Sequence, residues 1–284
     1  MLRYFANFQK KKKIINFNNF KNLVNLTQKS NFTNTACHDN KIITTKTENA
    51  KLRILGVAKS PKSLIPPKKL GLSERFSNIF SAEKNKEKRE ELLKEYKTSY
   101  WKDFNELRTN GEKLWEADTE LVNAEKALYM PNIKARTLNK PIIDTTDLLE
   151  GNVSLVSIVF NQFGENHTQT FINPFLQEFF NHDKIQLVQI NIEMNFVKSL
   201  LLRLLIPYIK RTIPVSQHSK YIIIFNNHGN LLDLKEALQL NNIYRGYVFL
   251  VDSNCKIRWT SHGNATSQEI ESMLKLTRTL NNIK

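Results

Sequence analysis

Two short stretches, residues 153–160 (VSLVSIVF) and 185–192 (IQLVQINI), limit what this chain can fold into more than anything else in it. The first is a nearly continuous run of β-branched and apolar residues. A strand with one wet face alternates apolar and polar side chains, whereas an uninterrupted run marks a strand covered on both faces, as in the middle of a parallel sheet. Between the two runs lie a loop at 161–166 and a helix expected over 168–180, interrupted early by Pro174. A strongly apolar helix follows at 195–211, then a β run at 221–225, a turn at 227–230 and a short helix at 231–240. Strands alternating with helices predict a parallel core. Upstream, residues 133–138 read as a first strand, and 144–149 as a short helix or turn.

The C-terminal end adds antiparallel strands. Residues 247–252 and 255–259 flank Ser253-Asn254, which reads as a two-residue hairpin turn with Asn254 in the left-handed conformation. Cys255, Ile257 and Trp259 are expected to face one way, Lys256 and Arg258 the other. A helix over 266–280 closes the chain. Parallel core, hairpin, then helix is how thioredoxin-like domains end. The expected fold is α/β: a thioredoxin-like (peroxiredoxin-like) central sheet flanked by helices over residues 130–284, preceded by a helical extension at 81–129.

The formal charge of +15 invites a nucleic-acid reading, but its distribution weakens it. Residues 1–70 hold 15 of the 42 basic side chains and only two of the 27 acids, Asp39 and Glu48, so the rest of the chain is near neutral. A near-neutral body is a poor match for a phosphate backbone. Residues 1–40 carry Arg3, the run Lys10 to Lys13, Lys21 and Lys29 among Phe, Leu and Ile, with no acid before Asp39. That composition is expected of a mitochondrial transit peptide, or failing that of a basic tail. Residues 41–80, with Ser60-Pro61 and Pro66-Pro67, read as a linker. From 81 to 110 both charge signs mix, and Leu92, Leu93, Tyr96, Tyr100, Phe104 and Leu107 recur at threes and fours, an apolar stripe on a helix stopped by Asn110-Gly111. A second short helix is expected at 112–127.

In a thioredoxin or peroxiredoxin the reactive thiol sits just after the first central strand, where burial and a helix N-terminus lower its pKa. That place here is NQFGENHTQT, residues 161–170, without a cysteine. Cys37 and Cys255 are far apart, and Cys255 lies beside the hairpin turn with nothing obvious to activate it. No proline precedes the strand at 247; Tyr244-Arg245-Gly246 stands there instead. The six histidines show no metal-binding spacing, and no acid–base pair stands out. No cofactor, metal or catalytic residue is therefore nominated, and thiol redox chemistry is read as absent. His167, in the loop where a thiol would be, is either functional or a solvated loop residue. The segment 195–211 is too short for a bilayer span and contains Arg203 and Pro207, yet its apolar residues occupy most of its circumference. It reads either as a core helix or as one that meets an apolar partner or membrane surface.

Several blocks together resemble one family. LWEADTELVNAEKALYMPNI (residues 114–133), the thiol-free body, and YRGYVFLVDSNCKIRWTSHGNATSQE (residues 244–269) resemble the mitochondrial ATPase assembly factor ten family, over about residue 70 to the C-terminus. Gly246, Asp252, Arg258, Trp259, Gly263 and Ala265 are the most specific part. The resemblance implies a chaperone attached peripherally to the matrix side of the mitochondrial inner membrane. It would bind newly made ATP synthase subunit a and promote its joining to the subunit c ring, with no catalytic residues. Arg203, Tyr244, Arg245, Gly246, Arg258 and Trp259 are the candidate partner-binding positions. Trp259 also fits core packing, and Arg258 a solvated strand-face cation. Two other classes stay open: an oxidoreductase using Cys255, and a mitochondrial RNA- or ribosome-associated protein using the basic N-terminus.

Overall fold

A computed structural model describes residues 53–60, 101–139, 142–194, 196–225 and 231–282, with the backbone alone for 196–201. The two apolar runs form strands β3 (Val153–Val159) and β4 (Ile185–Glu193), paired in parallel from Val153 opposite Ile185 to Val159 opposite Asn191. Every residue of β3 is buried, which is what its lack of alternation demands. Strand β5 (Tyr221–Phe225) adds in parallel to β4. On the other side β6 (Tyr247–Val251) runs antiparallel to β3, and β7 (Ile257–His262) antiparallel to β6. Strands β1 (Lys134–Thr137) and β2 (Ile143–Asp144) complete one mixed sheet of order β2-β1-β5-β4-β3-β6-β7.

Helix α1 ends at residue 110 and is described from residue 101; its expected earlier part, from residue 81, lies outside the described residues. The remaining helices are α2 (Thr145–Leu149), α3 (Gln162–Phe179), α4 (Phe196–Thr212), α5 (Leu231–Ala237) and α6 (Ser267–Leu280). The β3-α3-β4 unit, α5, the β6-β7 hairpin and α6 make the thioredoxin-like core, which α4 and β5 widen.

Alternation along the strands feeds two apolar layers. Leu155, Leu187 and Leu250 meet Phe171, Phe175, Trp259 and Met273 from α3, β7 and α6. Val156, Ile190, Ile222 and Phe249 point the other way, against Leu234 and Leu238 beside α5 and against Leu55 and Met130. Helix α4 lays Leu202, Ile206 and Ile209 on Ile223 and Phe225.

Five expectations change. Helix α3 starts six residues early, because the Asn161 side chain accepts hydrogen bonds from the Phe163 and Gly164 amides and caps the helix there. The hairpin loop spans Asp252 to Lys256: Asp252 Oδ1 accepts from the Asn254 and Lys256 amides, and Cys255, not Asn254, takes the left-handed conformation at φ 63°. A register shift, in which Leu250 faces Trp259 but Val251 faces Ile257, makes a bulge at Arg258 and sends Ile257 and Trp259 to opposite layers. Residues 112–127 are not helical: they run as an irregular strap beside β7. Within the expected linker, residues 53–60 are packed, Leu55 in the core and Val57 bridged to Tyr129.

Candidate functional site

The place where the sequence reading looks for a thiol, between β3 and α3, is closed by backbone. A Cβ on Gly246 would stand 2.1 Å from the carbonyl oxygen of Gly164, and one on Gly164 would stand 2.9 Å from that of Arg245. The first turn of α3 therefore lies directly on the corner that leads into β6. Asn161 adds to this contact by donating from Nδ2 to the Ile243 carbonyl at 2.8 Å. His167, on the same helix, accepts from the Gly246 amide through Nδ1 at 3.4 Å and faces Glu112 at 3.6 Å. Burial holds its pKa below the ordinary histidine value despite Glu112.

Arg245 anchors α1 and the strap to this corner. Its side chain is 1% exposed, donating from Nη1 to Glu106 Oε1 at 2.9 Å, from Nη2 to the Gly111 carbonyl at 3.1 Å and from Nε to the Glu112 carbonyl at 3.2 Å. The last two acceptors are backbone carbonyls of the two residues that follow α1. Asn242 donates to the Asp103 carbonyl at 2.8 Å and to Glu106 Oε2 at 3.2 Å, and the Ile243 amide donates to Asp103 Oδ2. Burial raises the Asp103 pKa. Burial works the same way on Glu106, but the hydrogen bonds from Arg245 and Asn242 outweigh it and lower its pKa.

The strap then follows the outer edge of β7. Arg258 exchanges backbone contact with Val122 at 2.8 Å, donates from Nε to the Val122 carbonyl at 2.7 Å and pairs with Asp252 at 3.0 Å. Trp259 Nε1 donates to the Asp118 carbonyl at 2.7 Å, and the Ile257 amide donates to that of Leu128 at 2.9 Å. The buried Glu269 carboxylate accepts from the Ala117 amide and the Ser261 hydroxyl and pairs with Lys113. These contacts occupy an edge that would otherwise offer unpaired backbone groups to another strand.

His262 receives the Leu114 amide on Nε2 at 2.9 Å, lies against Trp115 with ring centroids 4.5 Å apart and tilted by 43°, and lines a cavity of about 150 Å³ shared with Arg53, Arg245 and Tyr247. Its Nδ1 is the one buried side-chain nitrogen or oxygen without a hydrogen-bond partner among the described residues. Burial, reinforced by Arg245, Lys113 and Arg53, pushes its pKa down to about 3, so the ring is neutral, with its proton assigned to Nδ1.

Of the six sequence candidates, five are internal. Tyr244, Arg245, Gly246 and Trp259 are buried and Arg258 is largely covered by the strap, so none presents a free face to a partner. Only Arg203 is exposed, on α4, with its guanidinium 4.7 Å over the Phe225 ring. What lies open at the corner is aromatic: Trp101, Phe104 and Phe163 are exposed, and Phe104 and Phe163 flank the buried Tyr244 ring at 5.7 and 6.0 Å. Sequence reasoning missed Asp103, Glu106, Asn242 and Glu269. Only Glu269 had a local signal, the Thr266-x-x-Glu269 capping box that starts α6. Cys255 is buried, its Sγ 3.8 Å from the Thr146 carbonyl oxygen. Among the described residues no group of three His, Cys, Asp or Glu is placed to hold a metal ion, and no helix is long and apolar enough to cross a membrane.

Comparison with known proteins gives one family. The model of the ATP10 protein family matches residues 38–280. The chain is similar to the mitochondrial ATPase complex subunit ATP10 of Candida glabrata, 29% identical over 75% of this chain and 80% of that one. It is similar to the probable mitochondrial ATPase complex subunit atp10 of Schizosaccharomyces pombe, 29% identical over 77% and 79%. The Saccharomyces cerevisiae ATP10 protein is 24% identical over 80% and 85%. Among solved structures, a DsbF homologue from Corynebacterium diphtheriae aligns over 57% of this chain and 94% of that one, at 11% identity and a TM-score of 0.39. BsSco, of the Sco family of cytochrome c oxidase assembly proteins, aligns over 56% and 96% at 10% identity and 0.40.

Proposed function

Since the chain belongs to the ATP10 protein family, we propose that it is a mitochondrial assembly chaperone for the membrane sector of F-type ATP synthase, peripheral to the matrix side of the inner membrane. In this reading it holds newly made subunit a, promotes its association with the subunit c ring, and catalyses nothing. Relatives named as mitochondrial ATPase complex subunits, matched over most of their length, support the assembly role.

The observation that carries the non-catalytic part is the closed corner. Where a reactive thiol would stand, the Gly164–Gly246 backbone contact stands instead, with α1 tied beside it through Arg245 and the Phe163 ring left exposed. An oxidoreductase reading would have to use Cys255, which is buried in a loop remote from that helix N-terminus. The exposed rings of Trp101, Phe104 and Phe163 offer apolar, rigid surface suited to a client rich in membrane helices. In this reading Tyr244, Arg245, Gly246, Arg258 and Trp259 act by holding that surface in shape, and Arg203 is the directly accessible one of the six.

Crosslinking in intact mitochondria during labelling of newly made organellar proteins tests the proposal. Labelled subunit a should be captured by the wild-type chain, and less of it by Trp101→Ser with Phe163→Ser. Capture of ribosomal proteins or RNA instead, or normal ATP synthase assembly in organelles depleted of the protein, would sink the proposal.

A further inference from the structure

Helix α4 has two faces, and among the described residues only one packs on the sheet. Leu202, Ile206, Ile209 and Ile213 lie on the sheet. On the opposite side Leu204 is 73% exposed and Tyr208 53%, in line with the exposed Arg211 at spacings of four and three. Leu205 flanks this line on one side and Arg203 on the other, both exposed. Along the chain, residues 195–220 contain five basic side chains and no acid, within a body that is otherwise near neutral. The element is packed on the sheet and tied at its C-terminal end. Helix α4 packs on β5, and His218 Nε2 reaches the Lys210 and Ile213 carbonyls, both at 2.9 Å, at its C-terminal end.

We propose that this outer face of α4 is a membrane-docking surface, with Leu204, Leu205 and Tyr208 entering the headgroup boundary of a bilayer and Arg203 and Arg211 pairing with anionic lipid phosphates. An apolar line bordered by cations, with an aromatic whose hydroxyl can stay wet, is the pattern of a helix lying in the plane of a bilayer surface. A purely apolar client surface would be met by Leu and Tyr alone; the acid-free cations beside them favour an anionic one. The inference rests on the membrane-peripheral reading above and deepens it. Its vesicle measurement needs no ATP synthase, so a failure there would leave the assembly role standing.

Because the basic N-terminus will itself attract anionic vesicles, the measurement must report from α4. Full-length protein carrying Cys37→Ser and Leu204→Cys, labelled at position 204 with an environment-sensitive dye, is mixed with vesicles of phosphatidylcholine alone or doped with phosphatidylglycerol; the buried Cys255 stays unlabelled. The expected result is a blue shift on the doped vesicles only. Arg203→Gln and Arg211→Gln should weaken the partition about fivefold each, with unchanged circular dichroism melting. Two outcomes would overturn the proposal. In one, the chain sediments with vesicles while the dye stays water-like. In the other, the dye shifts only in the crosslinked complex with subunit a, which would assign the face to a protein client.

Discussion

Arg245 and Glu106 stand 139 positions apart in the chain, yet their side chains meet at 2.9 Å inside the corner where β6 begins. An arginine this buried is tolerated only because its donors are matched by one carboxylate and two backbone carbonyls just past α1. Removing it should leave Glu106 and the Gly111 and Glu112 carbonyls without their cation. Arg245→Ala is expected to cost about 3–5 kcal/mol of stability. Urea titration reads the loss, and limited proteolysis should show new cleavage near residues 108–115. A double-mutant cycle with Glu106→Gln should recover a coupling of about 1–3 kcal/mol; additive single effects would contradict the pairing.

The two glycines of the corner should differ in tolerance from an ordinary pair. Gly246→Ala puts a methyl 2.1 Å from the Gly164 carbonyl oxygen, and Gly164→Ala puts one 2.9 Å from the Arg245 carbonyl. Neither obstacle is a side chain that can swing away. Both changes should destabilise by about 1–3 kcal/mol or more, Gly246→Ala the more severely. Thermal melts of both variants decide it, and equal tolerance would refute so close an approach.

Acidification should loosen the strap. The His262 pKa is depressed to about 3 in the folded protein, below the ordinary value of 6.5. The unfolded chain therefore takes up the proton first, so this contribution to stability is complete above about pH 6.5 and drains away as pH falls toward the folded value. At pH 5 the loss amounts to about 2 kcal/mol. His167 is shifted in the same direction by burial and adds to the trend. His262→Gln, which keeps an acceptor for the Leu114 amide, should flatten the pH dependence of urea midpoints between pH 7 and 5.

Cys255→Ser separates the two functional classes. The side chain is buried against the Thr146 carbonyl, so the variant should fold at a cost of about 1 kcal/mol. Under the chaperone reading ATP synthase assembly persists in cells carrying it. Under a thiol-enzyme reading all function disappears.

Arg258→Ala should release the strap without opening the core. Hydrogen exchange at Val122, whose amide bonds the Arg258 carbonyl at 2.8 Å, is expected to quicken together with that of neighbouring strap amides. The amides of β3 should stay protected.

The sequence made the buried strands plain because β-branched runs without alternation have few other uses. It hid the strap for an opposite reason. The LWEADTELVNAEKAL segment is rich in good helix formers, but its backbone partners are side chains and strand carbonyls more than 125 positions away, beyond the reach of local propensity. The hairpin departs from a two-residue turn because Asp252, through two amide hydrogen bonds, holds the loop, and the left-handed position falls on Cys255. Arg245 reads locally as a surface residue; only the distant Glu106 gives it a reason to be inside.

A strap that precedes the body in the chain but rests on its last hairpin imposes an order of events. Residues 111–130 leave the ribosome first and have nowhere to dock until β6 and β7 exist, so they become the last part to settle. The corner with its aromatic rings is then completed only by a finished polypeptide: a chain truncated before residue 244 would carry the exposed aromatic residues of α1 with no seat for them.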